Sequence, residues 1–463
     1  MKVALVSPPF LPEYMRNARC DFVSLSRTQW YPILLGYCGA FLESKGHDVL
    51  LIDAPASGYD HAKTEGIING YRPDFLVIYS GRLSEDNDVA FGEKIITALG
   101  IEAVFAGPYA SIDPENLLRK TRTIRYAVKG EFEHPVSELL EKKNPKEIQN
   151  LYYKEDSRIL HNDPRQPLDR KELDRIPFVT DFFRRKLDLK KYKAPSEYYP
   201  FIDLMTGRGC AWGLCTFCLW VYTFVPGRNY NTRSIENVIE EFRFIGKEIP
   251  QVRSVMIQDD TFPAERAGEF SEALLKAKIR IPWSCYARGN MNYETLKLMK
   301  QAGCRNLHVG YESASPLVLK NIRKGVSREE MTEFTKDAKR AGLGIHADFA
   351  FGFDGETVDG MRETIRWAKE LDPDTAQFQL MIPFPGTPFY ERLKEKKWLN
   401  EKGEPSYPWL SNEEIRRVAK QAYQEFYFSF RYLRRVIRHP YQHFLTRLDT
   451  ISRAIPAMFW KRW

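Results

Sequence analysis

Three of the seven cysteines fall within nine residues, in the run Gly207-Arg208-Gly209-Cys210-Ala211-Trp212-Gly213-Leu214-Cys215-Thr216-Phe217-Cys218. The spacing is C-x4-C-x2-C. Thiolates so placed on one glycine-rich loop can converge on a single metal centre. A closed zinc site asks for four ligands, usually as two local pairs. The one H-x3-H pair, His439 and His443, lies far along the chain and is interrupted by Pro440. A 4Fe–4S cluster held by three cysteines would leave one iron open to a substrate or cofactor. The other cysteines, Cys20, Cys38, Cys285 and Cys304, are scattered. The odd total of seven speaks for a reducing compartment rather than a disulfide framework.

Such a loop needs a rigid frame. The 463 residues, 43% of them hydrophobic, suffice for more than one packed core. Short apolar runs at 2–7, 48–53, 74–80, 102–106 and 126–129 alternate with helical patterns, which predicts a parallel α/β sheet. The first run reads as a buried strand, too short for an export signal. In open sheets of this kind ligands sit beyond the carboxyl ends of the strands. The tips here carry Pro8-Pro9, Ser80-Gly81, Gly107-Pro108-Tyr109 and Gly130-Glu131. A second series of six strands is predicted at 202–206, 254–258, 283–287, 307–310, 347–351 and 376–382. Six β/α units describe a partial barrel with its site at the carboxyl ends of the strands. The cysteines follow the first of them. The expected organisation is an α/β domain over 1–145, a polar, proline-broken connector over 146–200, the barrel over 201–400 and a helical region over 401–463. From Ile415 onward eleven basic residues face only Glu425 and Asp449, so this region carries the whole net excess of +8. That charge suits either an anionic surface or a solvated helical face.

The cysteine loop resembles that of the radical S-adenosylmethionine superfamily, whose usual pattern is C-x3-C-x2-C with an aromatic before the last cysteine. Phe217 holds the aromatic position, and the first gap is one residue longer than usual, with Gly213 placed to absorb it. The resemblance continues through Gln258-Asp259-Asp260-Thr261-Phe262, Trp283-Ser284-Cys285-Tyr286-Ala287-Arg288, Gly310-Tyr311-Glu312-Ser313, Asn321-Ile322-Arg323-Lys324-Gly325, Gly352-Phe353-Asp354-Gly355-Glu356-Thr357 and Pro383-Phe384-Pro385-Gly386-Thr387. It implies a 4Fe–4S cluster on Cys210, Cys215 and Cys218, whose open iron binds S-adenosylmethionine. One-electron cleavage then yields a 5′-deoxyadenosyl radical that abstracts hydrogen. By resemblance Glu312 is expected at the ribose or the methionine amine and Arg288 at the methionine carboxylate. Asp259 and Asp260 are expected at a strand tip facing the same cavity.

An α/β domain ahead of such a barrel resembles the cobalamin-binding, class B arrangement. Gly46-His47-Asp48-Val49 and Ile52-Asp53-Ala54 match its second strand, and Ser80, Gly107, Gly130 and Glu131 stand at the tips where cobalamin is expected. The D-x-H-x-x-G loop that offers histidine to cobalt in some relatives is replaced by Pro8-Pro9-Phe10-Leu11-Pro12. The fold expected is thus α/β: a doubly wound, Rossmann-like cobalamin-binding domain, a partial (β/α)6 barrel and a helical tail. Trp30-Tyr31-Pro32, Ile176-Pro177-Phe178-Val179-Thr180, Thr206-Gly207-Arg208-Gly209-Cys210, Cys215-Thr216-Phe217-Cys218-Leu219-Trp220 and Glu425-Phe426-Tyr427-Phe428 resemble the hopanoid-associated cyclitol ether radical enzymes. A wider resemblance is to anaerobic magnesium-protoporphyrin monomethyl ester cyclase. These resemblances imply methylation, cyclisation or rearrangement at an unactivated carbon of a small molecule, a lipid or an isoprenoid product. They also imply an electron donor such as flavodoxin or ferredoxin. The expected location is the cytoplasm, with the basic tail and its Phe459, Trp460 and Trp463 at the inner face of a membrane; no nucleic acid is expected. The alternatives are a tRNA methylthiotransferase-like enzyme and a non-catalytic cluster or cobalamin sensor.

Overall fold

The computed structural model describes residues 1–12, 14–17, 21–24, 28–432 and 434. Cys20 and the part of the basic tail beyond Arg434, with its aromatic anchors, lie outside the described residues.

The first sheet has seven strands. Five are parallel: β1 (Lys2–Ser7), β4 (Asp48–Asp53), β5 (Phe75–Tyr79), β6 (Glu102–Ala106) and β7 (Tyr126–Val128), in the order β4-β1-β5-β6-β7. Between β1 and β4 lies a hairpin the sequence did not suggest, β2 (Tyr14–Arg16) with β3 (Asp21–Val23). Alternate residues of β1 serve two cores: Val3 and Leu5 pack on one face, Ala4 and Val6 on the other. The sheet is therefore doubly wound, and its strand order reverses at β1 and β5, the point where such sheets bind ligands.

The segment 146–200 is more than a connector. It supplies β8 (Leu151–Glu155) and β9 (Arg158–His161), an antiparallel hairpin that completes the first sheet on the free edge of β7. Asp156 and Ser157 both take positive φ, 47° and 67°, in its two-residue turn. That is the turn geometry matching strand twist, but Asp-Ser is a weak sequence signal for it. The helix Val179–Lys186 then packs on the helix Ile33–Ser44, where Gly36 and Gly39 leave room for the rings of Phe183 and Phe182.

The second sheet is all parallel and runs in chain order: β10 (Phe201–Leu204), β13 (Ser254–Ile257), β14 (Trp283–Ala287), β15 (Cys304–Glu312), β16 (Gly344–Phe351) and β17 (Thr375–Leu380). It is an open six-stranded barrel wall. A short ribbon, β11 (Gly207–Gly209) against β12 (Tyr230–Thr232), leaves the end of β10 and brackets the cysteine loop. The helix Asn412–Tyr427 closes the far edge: Tyr427 Oη donates to Ala376 O at 2.7 Å and accepts from Ala376 N at 3.1 Å. No helix among the described residues is long and apolar enough to cross a membrane.

The two sheets are joined through buried polar contacts. Arg208, on β11, donates to Glu131 Oε1 at 2.7 Å and to Glu133 Oε1 at 2.6 Å, and its guanidinium lies over Tyr37. All three charged side chains are under 10% exposed. Tyr37 Oη donates to Met205 O and accepts from Met205 N, and Tyr31 N donates to Asp203. Arg208→Met would strand two buried carboxylates and should cost about 3–5 kcal/mol. Urea denaturation would measure it, and adding Glu133→Gln should recover part of the loss.

Candidate active site at the cysteine loop

The loop 210–218 starts where β11 ends and is held from three sides. Gly209 N donates to Asp260 Oδ2 at 2.8 Å. Thr216 N donates to Ile322 O, Trp212 Nε1 donates to Arg323 O, and Phe389 N donates to Thr216 O. Cys218 N reaches back to Cys215 O at 3.2 Å, the tight turn that the C-x2-C spacing allows. Gly213 takes φ 58°, and a Cβ there would lie 2.1 Å from Gly227 O. The extra residue of the first gap thus runs through a backbone bend and a close approach open to glycine alone. The Trp212 ring in turn lies where a side chain on Gly325 would be.

The three thiols are grouped electrostatically. Burial pushes the Cys218 thiol up to about 12, and neighbouring Cys215 and Asp260 add to it. Burial also raises Cys215; Lys324 and Arg288 oppose that, while Glu312 and Cys210 reinforce it. Among the described residues no three His, Cys, Asp or Glu side chains are placed to grip one ion. A cubane cluster does not require such convergence, since each thiolate ligates a different iron. Three soft sulfur donors on one loop beside two cations suit a 4Fe–4S cluster, whose binding keeps the thiols deprotonated.

The other residues singled out from sequence divide into two groups. Phe217, Asp260, Arg288 and Glu312 gather at the loop. Phe217 packs edge-on against Phe353 at 5.1 Å. Arg288 lies 4.7 Å over the Trp212 ring and donates to Lys324 O. Glu312 follows a bulge in β15, has φ 63°, and accepts from Lys324 Nζ at 2.8 Å. Asp259 differs from expectation. It is fully buried, and its carboxylate accepts from Thr206 N, Thr206 Oγ1 and Tyr230 Oη, each at 2.6 Å. It fastens the ribbon rather than facing a cavity.

At the first sheet Glu131 also differs: Arg208 and Leu168 N occupy its two oxygens. Burial raises its carboxyl while Arg208 opposes. Gly107, φ 97°, abuts the Tyr79 ring, and Gly130, φ 81°, donates to Ser111 Oγ. Ser80 is buried, and so is Ser7 on the neighbouring tip; neither hydroxyl has a hydrogen-bond partner among the described residues. Two buried, unsatisfied hydroxyls at a strand-order reversal suit a hydrogen-bonding ligand. Sequence reasoning missed Arg208, Glu133 and Lys324 as site residues. Arg208 and Lys324 stood inside the quoted motifs, but only the tertiary fold gives them carboxylate partners.

An α/β sheet and an open six-strand barrel meeting at a three-cysteine loop define the class: a two-sheet α/β protein with a soft-metal site at the carboxyl end of its barrel. A family model described as the radical SAM superfamily matches residues 204–368. An uncharacterized methyltransferase of Pyrococcus horikoshii is 30% identical over 92% of this chain and 92% of its own. The chain belongs to the radical SAM superfamily. The anaerobic magnesium-protoporphyrin IX monomethyl ester cyclase of Rubrivivax gelatinosus is 23% identical over 79% of this chain and 67% of its own. In fold the chain is similar to the radical S-adenosylmethionine methyltransferase TsrM of Kitasatospora setae, solved with cobalamin and a [4Fe-4S] cluster. The TM-score is 0.67 and the identity 17%, over 85% of this chain and 78% of the other. The protein is thus a radical SAM enzyme related to methyltransferases and a cyclase. Its cofactors include a 4Fe–4S cluster and S-adenosylmethionine, and it requires a reductant and a substrate. The methylthiotransferase and sensor alternatives are not favoured.

Two outcomes follow from this geometry. Gly213→Val should abolish cluster loading in folded protein, read as iron per chain with circular dichroism as control. Burial pushes the Glu356 carboxyl up to about 8 from 4.5, against hydrogen bonds from Ser313, Gly352 and Phe353. The folded state keeps a proton that the unfolded chain loses, so stability falls as pH rises from about 4.5 to 8. Glu356→Gln removes that titration, and its melting temperature should gain on the parent as pH rises. A pH-independent difference would refute the assignment.

Proposed function

We propose that this chain is a cobalamin-dependent radical SAM enzyme that methylates or cyclises an unactivated carbon. The observation that carries the reading is the Arg208 bridge. It sets the β7 tip of the first sheet, through Glu131 and Glu133, directly against the strand that leads into the cysteine loop. A cofactor held at the tips of the first sheet would then share a cleft with one held by the cysteines. A small cleft between them is lined by Glu131, Glu133, Arg208, Trp220 and Asp260 among others.

In this reading Cys210, Cys215 and Cys218 would hold the 4Fe–4S cluster, beside which S-adenosylmethionine would bind. When bound and reduced, the cluster supplies the electron that cleaves the cofactor's carbon–sulfur bond. Arg288, oriented by Trp212 and Lys324 O, offers its guanidinium to the methionine carboxylate. Glu312, held by Lys324 and by its left-handed backbone, presents a carboxylate to the ribose or amine. Asp260 anchors Gly209, and Phe217 packs the loop against Phe353, shielding the cluster. Asp259 and Glu131 are positioning residues. Ser7, Ser80 and the glycine tips Gly107 and Gly130 would hold cobalamin, which when bound supplies methyl-transfer chemistry. The working domains are the first sheet with its β8–β9 hairpin, the barrel and the helical tail. The electron donor is expected to be a flavodoxin or ferredoxin. A lipid substrate and membrane contact through the basic tail are expectations for liposome binding to test.

The test is anaerobic reconstitution with quantitation of iron, sulfide and cobalt. About four irons per chain, lost in the Cys210→Ala, Cys215→Ala and Cys218→Ala variants, are expected. So is a corrinoid spectrum that weakens in Ser80→Val. Iron without cobalt overturns the cobalamin assignment. With substrate, formation of both 5′-deoxyadenosine and S-adenosylhomocysteine marks methylation; 5′-deoxyadenosine alone marks cyclisation.

A further inference from the structure

A cluster on Cys210, Cys215 and Cys218 is reduced by an electron from outside the chain. Electron transfer weakens steeply with distance, so the way in lies where the cover over the sulfurs is thinnest. The inner side of the loop faces the barrel and, across Arg208, the first sheet. The outer side opens to solvent. Ala211, next to Cys210, is exposed, and so are Gly227, Arg228 and Arg323. Cys215 Sγ lies 3.9 Å from Arg323 O, so a single exposed residue stands between that sulfur and the surface.

This outer side is built around Trp212, which is half-buried. Its Nε1 donates to Arg323 O at 2.9 Å, and the Arg228 guanidinium lies 5.7 Å from its ring centroid. Arg288 lies 4.7 Å from the same ring, so two guanidinium groups share one indole. Trp212 stands in the gap between Cys210 and Cys215, which is one residue longer than the usual pattern. Burial raises the Tyr222 phenol; Arg323 opposes that, while Cys215 and Cys218 reinforce it, so the Arg323 charge is felt beside the sulfurs.

The charges here have one sign. From Ala211 to Ile235 the chain has no acidic residue, and from Ser313 to Arg328 it has none either. The first segment brings Arg228 to the surface, the second Lys320 and Arg323. No carboxylate lies within ion-pair distance of these three among the described residues. The acids of the elements around the loop are engaged: Asp260 accepts from Gly209 N, and Glu312 pairs with Lys324. Glu329 and Glu330 lie beyond Arg328, in the first turn of the next helix, where Glu330 accepts from Ser327 N. On the helix Pro388–Glu395, which meets the loop at Thr216, Glu391 accepts from Gly386 N and Arg392 pairs with Asp354, leaving that flank close to neutral.

We infer that this outer face, centred on Trp212, Arg228 and Arg323, is the docking surface for an acidic one-electron carrier protein. The inference rests on the radical SAM reading of the cysteine loop. Carboxylates of the carrier pair with Arg228 and Arg323, Lys320 extends the attraction, and the indole gives a flat apolar anchor between them. The docked carrier passes one electron to the cluster: the carrier is oxidised, the cluster is reduced, and no bond forms or breaks. Two sources share this chemistry, an acidic flavodoxin and an acidic ferredoxin.

The experiment titrates oxidised flavodoxin and, separately, oxidised ferredoxin into the cluster-loaded full chain by calorimetry. Cluster reduction by each reduced carrier is then followed by anaerobic stopped-flow absorbance, with reduced methyl viologen as the small-molecule control. One carrier should bind, more weakly as salt rises, and which one does so identifies the source. Arg228→Glu should weaken that binding and slow reduction by the carrier about tenfold, while iron per chain and reduction by methyl viologen keep their parental values. Arg323→Glu should independently weaken the same binding. Parental binding and rate in both variants, or no binding of either carrier, overturns the surface. So does an equal slowing with methyl viologen, which would place the fault at the cluster. Failure of the parent chain to load iron would instead overturn the radical SAM reading, so the two failures are distinguishable.

Discussion

Arg208 between Glu131 and Glu133 is the interaction on which the rest of the molecule depends. A guanidinium removed from water is tolerated only when fully paired, and both of its partners come from the other sheet. The pairing therefore does two things at once. It fixes the angle between the doubly wound sheet and the barrel, and it fixes the strand that delivers Cys210. Asp259 and Asp260 complete the clamp from the barrel side, one on Thr206 and Tyr230, the other on Gly209. A loop whose three thiols must address one cluster gains its precision from these neighbours rather than from its own turns.

The same logic explains the glycines around the loop. Gly209, Gly213 and Gly325 each sit at positive φ, and a Cβ at any of them would fall within 2.3 Å of a backbone carbonyl or the Trp212 ring. The chain packs backbone against backbone there. The three cysteines themselves remain partly exposed, which leaves the loop open to a cluster and its ligand. Farther into the barrel the character changes. Its inner face carries His308, His346, Asp348 and Gln377, a costly choice for a core.

The element pattern was legible because it is local. Every predicted strand of the two series appears within a few residues, since short apolar runs bounded by turn residues leave the backbone little choice. The hairpins escaped. β2 and β3 are three residues each, too short to show a period, and β8–β9 sits in a polar stretch whose turn residues, Asp156 and Ser157, adopt left-handed backbone without glycine to announce it.

Spacing in the chain determined that Cys210, Cys215 and Cys218 could share one centre, that two β/α series existed, and that the cysteines opened the second. Those are properties of nearest neighbours and of periods of two and 3.6 residues. Tertiary structure alone decided what each carboxylate holds. Asp259 and Asp260 are adjacent in the chain, yet one is consumed by Thr206 and Tyr230 while the other stands at the cysteine loop. Glu131 looked like a ligand at a strand tip and proved to be the counter-charge of Arg208, 77 residues away. Pairing over such distances depends on how two sheets pack, and no local pattern records it.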